Sequence, residues 1–197
     1  SLVDNIDNLP YPDLSQAIIN ERTQIIKSAK INIRVQDARD YHALSRLLND
    51  INPQIIIQLA AVSHANRSNK DPYSTFDHSF RTLENSLDWA RSKDSNVEQF
   101  IFFSSSMVYG NFKNDNVDED TNCEPLGIYG ALKFGSEKIL IGYNQVFDLP
   151  YTIIRPSALY GERCISRRVG QIFIESAIFG KDIVMSDNGK ETLDFTY

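Results

Sequence analysis

The sequence predicts an α/β protein built on a Rossmann-like, doubly wound parallel sheet. Three observations predict it. Short β-prone runs alternate with longer stretches whose apolar residues recur at helical spacing. Two of the runs, Ile55-Ile56-Ile57-Gln58-Leu59 and Phe100-Ile101-Phe102-Phe103, are apolar almost throughout, the mark of strands buried on both faces. Small or polar residues follow each run, at the strand ends where open α/β sheets hold ligands.

The elements follow in order. Ser1-Leu2-Val3-Asp4-Asn5 reads as the tail of a strand, and Ile31-Asn32-Ile33-Arg34-Val35 as a short β-branched strand. Asp40 to Asp50 predicts a helix, with Leu44, Leu47 and Leu48 on one face and Asp40 as its cap. Pro72 to Lys93 predicts a long helix with Phe76, Phe80, Leu83, Leu87 and Ala90 on one stripe. A second long helix is predicted from Tyr129 to Phe147, and a strand over Tyr151-Thr152-Ile153-Ile154-Arg155, stopped by Pro156. Val169 to Phe179 predicts a helix ended by Gly180. The last residues, Leu193-Asp194-Phe195-Thr196-Tyr197, run on in an extended, β-prone stretch. Right-handed crossovers then fix most of the topology and place helices on both faces of the sheet. Both ends read as mid-element, so the chain is expected to be a piece of a larger domain.

Composition narrows the function. The 197 residues carry 20 basic and 26 acidic side chains, a net charge of −6. That balance disfavours binding nucleic acid through phosphate neutralisation. No apolar run reaches the roughly 18 residues of a membrane span, and no signal segment opens the chain. Cys123 and Cys164 form neither a disulfide framework nor a metal motif, so a reducing, cytoplasmic compartment is expected. His42, His64 and His78 lack the spacing of a metal set.

The strand-end positions are Asp4-Asn5, Asp37-Ala38, Ala60-Ala61-Val62-Ser63, Ser104-Ser105-Ser106 and Pro156-Ser157-Ala158. Tyr129 and Lys133 stand one helical turn apart and share a face. An ammonium beside a phenol favours phenolate, the state in which tyrosine serves as a general base. A serine hydroxyl at the end of the Phe100–Phe103 run could hold a substrate oxygen while Tyr129 takes its proton. Such a pairing suits oxidation of an alcohol with a nicotinamide as hydride acceptor. Each feature alone has a plain alternative: a solvated surface pair, or a polar loop.

Four motifs in this order carry a resemblance: Leu59-Ala60-Ala61, Ser104-Ser105-Ser106-Met107-Val108-Tyr109-Gly110, Tyr129-Gly130-Ala131-Leu132-Lys133 and Arg155-Pro156-Ser157-Ala158-Leu159-Tyr160-Gly161. Over essentially its whole length the sequence resembles the extended short-chain dehydrogenase/reductase family, the nucleotide-sugar epimerases and dehydratases. The resemblance implies a Rossmann domain binding NAD, over residues 1–161, followed from 162 to 197 by the start of a part that grips a nucleotide sugar. It implies catalytic roles for Ser105, Tyr129 and Lys133. It places Asp4 and Asn5 at the adenosine ribose, where a carboxylate favours NAD over NADP. It places Asp37 and Ala38 near adenine, Leu59, Ala60 and Ala61 under the cofactor, and Pro156 at the wall near nicotinamide. Ser63, Ser106, Ser157 and Arg163 are the substrate-side candidates; Arg163 belongs to a small basic cluster with Arg167 and Arg168 suited to a diphosphate. The two long helices resemble the pair through which the family dimerises.

The departures bear on the choice within the family. The glycine-rich phosphate loop, its strand and its helix are missing, and Ser79, Thr82 and Ala158 stand where the family usually has Asn, Gly and Asn. Dehydratases carry Asp-Glu after the catalytic hydroxyl residue, where this sequence has Ser106 and Met107. Neither side chain does acid–base work at that step. Epimerases need neither carboxyl, so the resemblance implies a nucleotide-sugar epimerase, acting at C4. A reductase or dehydrogenase of the same superfamily, or a non-catalytic dinucleotide-sensing or scaffold protein, are the alternatives.

Overall fold

Three parallel strands organise the larger part of the chain. The structure is a computed structural model that describes residues 11–63, 65–112, 116–165, 168–185, 189 and 193–197. In chain order it contains Pro12–Ser28 (α1), Tyr41–Ile51 (α2), Ile55–Gln58 (β1), Ala65–Lys70 (α3), Pro72–Phe76 (α4), a π turn over Asp77–Arg81, Thr82–Ala90 (α5) and Gln99–Phe103 (β2). A 3-10 turn over Ser106–Tyr109, Gly127–Phe147 (α6), Tyr151–Ile154 (β3), Ala158–Leu159 (β4), Val169–Ile178 (α7) and Phe195–Thr196 (β5) follow. These residues fall into two units, 35–156 in one and 11–34 with 157–197 in the other.

In the first unit the sheet order is β1-β2-β3, all parallel. Gln58 lies opposite Phe102, and Phe103 opposite Ile154, so the three carboxyl ends finish side by side. One face of the sheet packs on α5 and α6 around Phe100, Phe102, Leu83, Leu87, Trp89, Ala90, Leu140 and Leu149. Helix α2 joins this layer through the Trp89 indole N–H, which donates to Asn49 Oδ1 at 2.7 Å. Asp40 caps α2 as the sequence predicts, its carboxylate accepting from the Ala43 N–H at 3.0 Å.

Two expectations are corrected, those for 31–35 and for 72–93. Among the described residues of the first unit, α5 and α6 cover one face of the three strands, and on the other face Ile55 and Ile57 of β1 are exposed, Ile57 by 55%. Two right-handed crossovers that step in the same direction, β1 to β2 and β2 to β3, put their helices on the same side. The stretch Ile31–Val35 forms no regular element and pairs with no strand among the described residues, and Val35 is 92% exposed. A β-branched run becomes a strand only when a neighbour takes its backbone groups. The predicted helix over 72–93 follows a continuous path to Ala90 but is interrupted by the π turn.

In the second unit β4 and β5 form a two-stranded parallel ladder. Tyr160 packs edge-on against Phe195 and Tyr197. The end of α7 fits the expected glycine cap. Gly180 has φ +60°, and Lys181 N–H closes on the Ser176 carbonyl at 2.8 Å. No described helix is long and apolar enough to cross a membrane.

Candidate active site

The carboxyl edge of the sheet gathers the loop after β1, the Ser104–Ser106 segment after β2 and Arg155-Pro156 after β3. Ser105 is buried and caps the 3-10 turn, its Oγ accepting from the Met107 N–H at 3.2 Å. That bond occupies an acceptor position and leaves the hydroxyl proton to donate elsewhere. The Ser106 N–H donates to the Pro156 carbonyl at 3.0 Å, which ties the turn to the end of β3.

Helix α6 lies against this turn because residue 130 is glycine. A Cβ there would sit 2.8 Å from the Met107 carbonyl oxygen and 3.2 Å from Pro125 Cβ. Asn69 of α3 steadies the start of α6, its Oδ1 accepting from the Ile128 N–H at 3.3 Å. Tyr129 therefore enters beside the turn that follows Ser105. Its ring is half-buried, and its hydroxyl has no hydrogen-bond partner among the described residues.

One turn further along α6, Lys133 is 8% exposed. Its Nζ donates to the Phe103 carbonyl at 2.6 Å and lies over the Phe102 ring at 4.9 Å. Burial pulls the ammonium down from its ordinary 10.5 to about 8, and the Glu137 carboxylate partly restores it. Lys133 is thus held by β2 at the level of Ser105, as a charge with little water around it.

The loop after β1 is small and open: Leu59 and Ala60 are exposed and Ala61 half-buried. The π turn holds it. Ser79 Oγ accepts from the Val62 N–H at 3.0 Å, and Thr82 Oγ1 donates to the Ala60 carbonyl at 3.1 Å. Ser63 is exposed. Asp37 is exposed and engaged by the Arg39 guanidinium, at 2.6 Å from one nitrogen, and Arg39 also reaches Asp77 at 3.0 Å. The Arg39 hydrogen bonds hold the Asp37 carboxyl down at about 2. Asn85 of α5 fixes this segment by donating to the Ala38 and Arg39 carbonyls, each at 2.9 Å.

The first unit thus brings Ser105, Ser106, Tyr129, Lys133, Pro156 and Leu59–Ala61 to one sheet edge, with Asp37 and Ala38 in the same unit. Ser157 and Arg163 belong to the other unit, where Arg163 pairs with Glu21 at 2.9 Å and with Glu162. Asp4, Asn5, His64 and Arg167 lie outside the described residues.

One residue at this edge, Glu137, was missed from the sequence, and it draws together three that the motifs contain, Ser104, Tyr109 and Arg155. Glu137 is 1% exposed, and its carboxylate takes a two-pronged contact from Arg155, at 3.0 Å and 2.8 Å, and a hydrogen bond from Ser104 Oγ. Arg155 in turn donates to the Tyr109 hydroxyl at 3.0 Å. The signal was present: Tyr129, Lys133 and Glu137 recur at intervals of four on one helix face.

Comparison with known proteins bears on what this edge does. A family model described as the NAD dependent epimerase/dehydratase family matches residues 6–197. The chain is 31% identical over 157 residues to an uncharacterized UDP-glucose epimerase of Bacillus subtilis, covering 78% of this chain and 48% of that protein. It is 30% identical over 165 residues to a putative UDP-glucose 4-epimerase of Methanocaldococcus jannaschii, covering 82% and 53%. Among solved structures it resembles UDP-glucuronic acid 4-epimerase from Bacillus cereus in complex with UDP-glucuronic acid and NAD. The TM-score is 0.77 at 28% identity, over 91% of this chain and 57% of that one. UDP-N-acetylglucosamine 4-epimerase from Methanobrevibacter ruminantium gives a TM-score of 0.77 at 25% identity, over 85% and 54%. The chain spans about half the length of the curated relatives it matches.

Proposed function

Since the chain belongs to the NAD dependent epimerase/dehydratase family, we propose that it is part of an NAD-dependent nucleotide-sugar epimerase acting at C4. The observation that carries the reading is the buried Lys133 ammonium, one turn from a Tyr129 hydroxyl that has no hydrogen-bond partner among the described residues, and level with Ser105 at the strand ends. The relatives' printed names support the substrate class and the carbon.

The residues present fit the nicotinamide half of the cofactor. Ala60 and Ala61 offer a low, open backbone on which a flat group can lie, and Lys133 offers a cation and N–H donors at the same edge. Asp37 and Ala38 would face the adenine side. When bound, NAD would supply the acceptor, and then the donor, of the sugar carbon's hydride. Tyr129 Oη takes the proton of the sugar hydroxyl as that carbon is oxidised, and returns it when the ketone is reduced on its other face. Ser105 donates its free hydroxyl proton to the reacting oxygen. Lys133 places a cation one helical turn from Tyr129, on the same face of α6. Proton and hydride each leave and come back, so the reaction is redox-neutral. Ser106 and Met107 supply no acid or base, which supports epimerisation over loss of water.

In the same reading residues 1–161 are the cofactor domain and 162–197 the start of the sugar-nucleotide part; Ser63, Ser106 and Ser157 of the former and Arg163 of the latter are its substrate-side residues. Exposed apolar side chains on the two long helical stretches, Tyr73 and Phe76 on one and Ile139, Val146 and Phe147 on the other, support a homodimer through them. A chain with only two cysteines, Cys123 and Cys164, and no disulfide framework supports a cytoplasmic protein. The test is Tyr129→Phe. In the completed enzyme it should abolish epimerisation of the nucleotide sugar, and the transient NAD reduction within each turnover, while leaving NAD binding nearly unchanged; full activity in the variant sinks the assignment.

A further inference from the structure

Glu137 has no place in the chemistry just described, yet it is the most completely enclosed charged side chain of the site. A carboxylate taken out of water is stable only when its lone pairs and charge are matched. Here Arg155 at the end of β3 gives it two parallel N–H bonds, at 3.0 Å and 2.8 Å, and Ser104 at the end of β2 gives it a hydroxyl. Arg155 continues to the Tyr109 hydroxyl at 3.0 Å and to the Glu119 carbonyl at 3.2 Å. Its guanidinium also lies 5.1 Å from the centre of the Tyr109 ring. One carboxylate on α6 therefore joins both strand ends and the 3-10 turn.

The neighbours of this bracket are the reacting groups. Ser104 immediately precedes Ser105. Tyr109 closes the turn whose Met107 carbonyl meets Gly130, next to Tyr129. Lys133 stands one helical turn before Glu137. We propose that Glu137 is a positioning residue of the active site: by binding Ser104 and Arg155 it sets the depth of α6 against the strand ends and keeps the Lys133 ammonium seated on the Phe103 carbonyl. The proposal rests on the assignment of Tyr129 and Lys133 as the reacting pair, but not on the identity of the sugar.

The groups around Lys133 support the arrangement. From β2 it meets a carbonyl and an aromatic ring, neither of which titrates. The charge that acts on it is Glu137 on its own helix, one turn away, and this carboxylate opposes the effect of burial. Arg155 and Tyr109, from β3 and the turn, are bonded to each other, and Arg155 to Glu137. A scaffold role alone would ask only that the cavity stay filled and hydrogen-bonded. A positioning role asks also that the filling group be negative.

The test separates the two. In the 197-residue chain, the pH profile of Lys133 acetylation by acetic anhydride is read by peptide mass spectrometry, for wild type, Glu137→Gln and Glu137→Asp. Glutamine keeps the volume and removes the charge. The Lys133 profile should move to lower pH, with acetylation at pH 7 rising about fivefold, as for an amine that loses an opposite charge nearby. Glu137→Asp keeps the charge but draws it back by one methylene, and should restore most of the wild-type profile. If the glutamine variant does not fold, the aspartate variant carries the test, with a smaller shift in the same direction. A Lys133 profile unchanged in every folded variant overturns the proposal. Because the readout is the lysine itself, it can fail while sugar-dependent NAD reduction is present, and succeed while that activity is absent.

Discussion

Gly130 faces the carbonyl oxygen of Met107 so closely that a Cβ on it would stand at 2.8 Å. That approach seats the first turn of α6 on the loop carrying Ser105. Replacing a helical glycine by alanine ordinarily stabilises by up to about 1 kcal/mol. Here the sign should reverse. The obstructing atom is backbone, and Pro125 Cβ at 3.2 Å closes the other way out. Gly130→Ala should lower stability by about 1–3 kcal/mol in urea denaturation and displace Tyr129 relative to Ser105. Sugar-dependent NAD reduction should fall at least about tenfold, the effect of a sub-ångström misplacement of reacting groups. A more stable and fully active alanine variant would show that the helix has room to move.

The sequence announced the architecture because its strands are apolar runs and its helices carry clear stripes. Asp40 capped its helix, and Gly180 closed the last one, because both act through local backbone geometry. The motif residues of the first unit reached the sheet edge because a parallel register aligns strand ends. What could not be read from the pattern was non-local. Burial of Ile57 depends on which way the crossovers step, and the state of Ile31–Val35 on whether a neighbour is present. Glu137 is enclosed only because Arg155, eighteen positions later, closes on it. The interruption at Asp77–Arg81 was hidden for the same reason. A π turn leaves no trace in apolar spacing, and shows itself only in which side chains reach the loop after β1.

Those side chains are Ser79 and Thr82. The Val62 N–H has Ser79 Oγ as acceptor at 3.0 Å, and the Ala60 carbonyl receives Thr82 Oγ1 at 3.1 Å. Thr82→Val keeps the shape and removes the donor, so it should destabilise by about 1 kcal/mol. Ser79→Ala leaves the Val62 amide without its acceptor, and that amide should exchange with deuterium markedly faster, while amides in the core of β2 keep wild-type protection. Combined, the two changes should free the loop and weaken NAD binding in any form of the protein that binds it. Unchanged exchange at Val62 in Ser79→Ala would mean that the loop is held by its own backbone.

Lys133 gives the fold a dependence on pH that can be isolated. In the folded chain its ammonium titrates near 8, against an ordinary 10.5. Below pH 8 both folded and unfolded chains carry the proton, and the folded state bears the full cost of enclosing it. Between 8 and 10.5 the unfolded chain still holds a proton that the folded chain has released. Unfolding then takes up protons, and stability rises with pH across that window. Above 10.5 the lysine is neutral in both states and contributes no further slope. Lys133→Met has no titrating group there, and its lost bond to the Phe103 carbonyl is an offset independent of pH. The stability of wild type relative to Lys133→Met should therefore climb through the window, by at most about 3 kcal/mol. Urea denaturation of both proteins at pH 7.5, 9 and 10.5 measures that difference, and the titration of every other group largely cancels in it. A difference that stays flat would place the amine in water rather than against Phe103, and would remove the physical basis for its charge acting on Tyr129. A rising difference would mean that the chain keeps a destabilising cation at neutral pH, a cost that makes sense at a site where the cation is needed for chemistry.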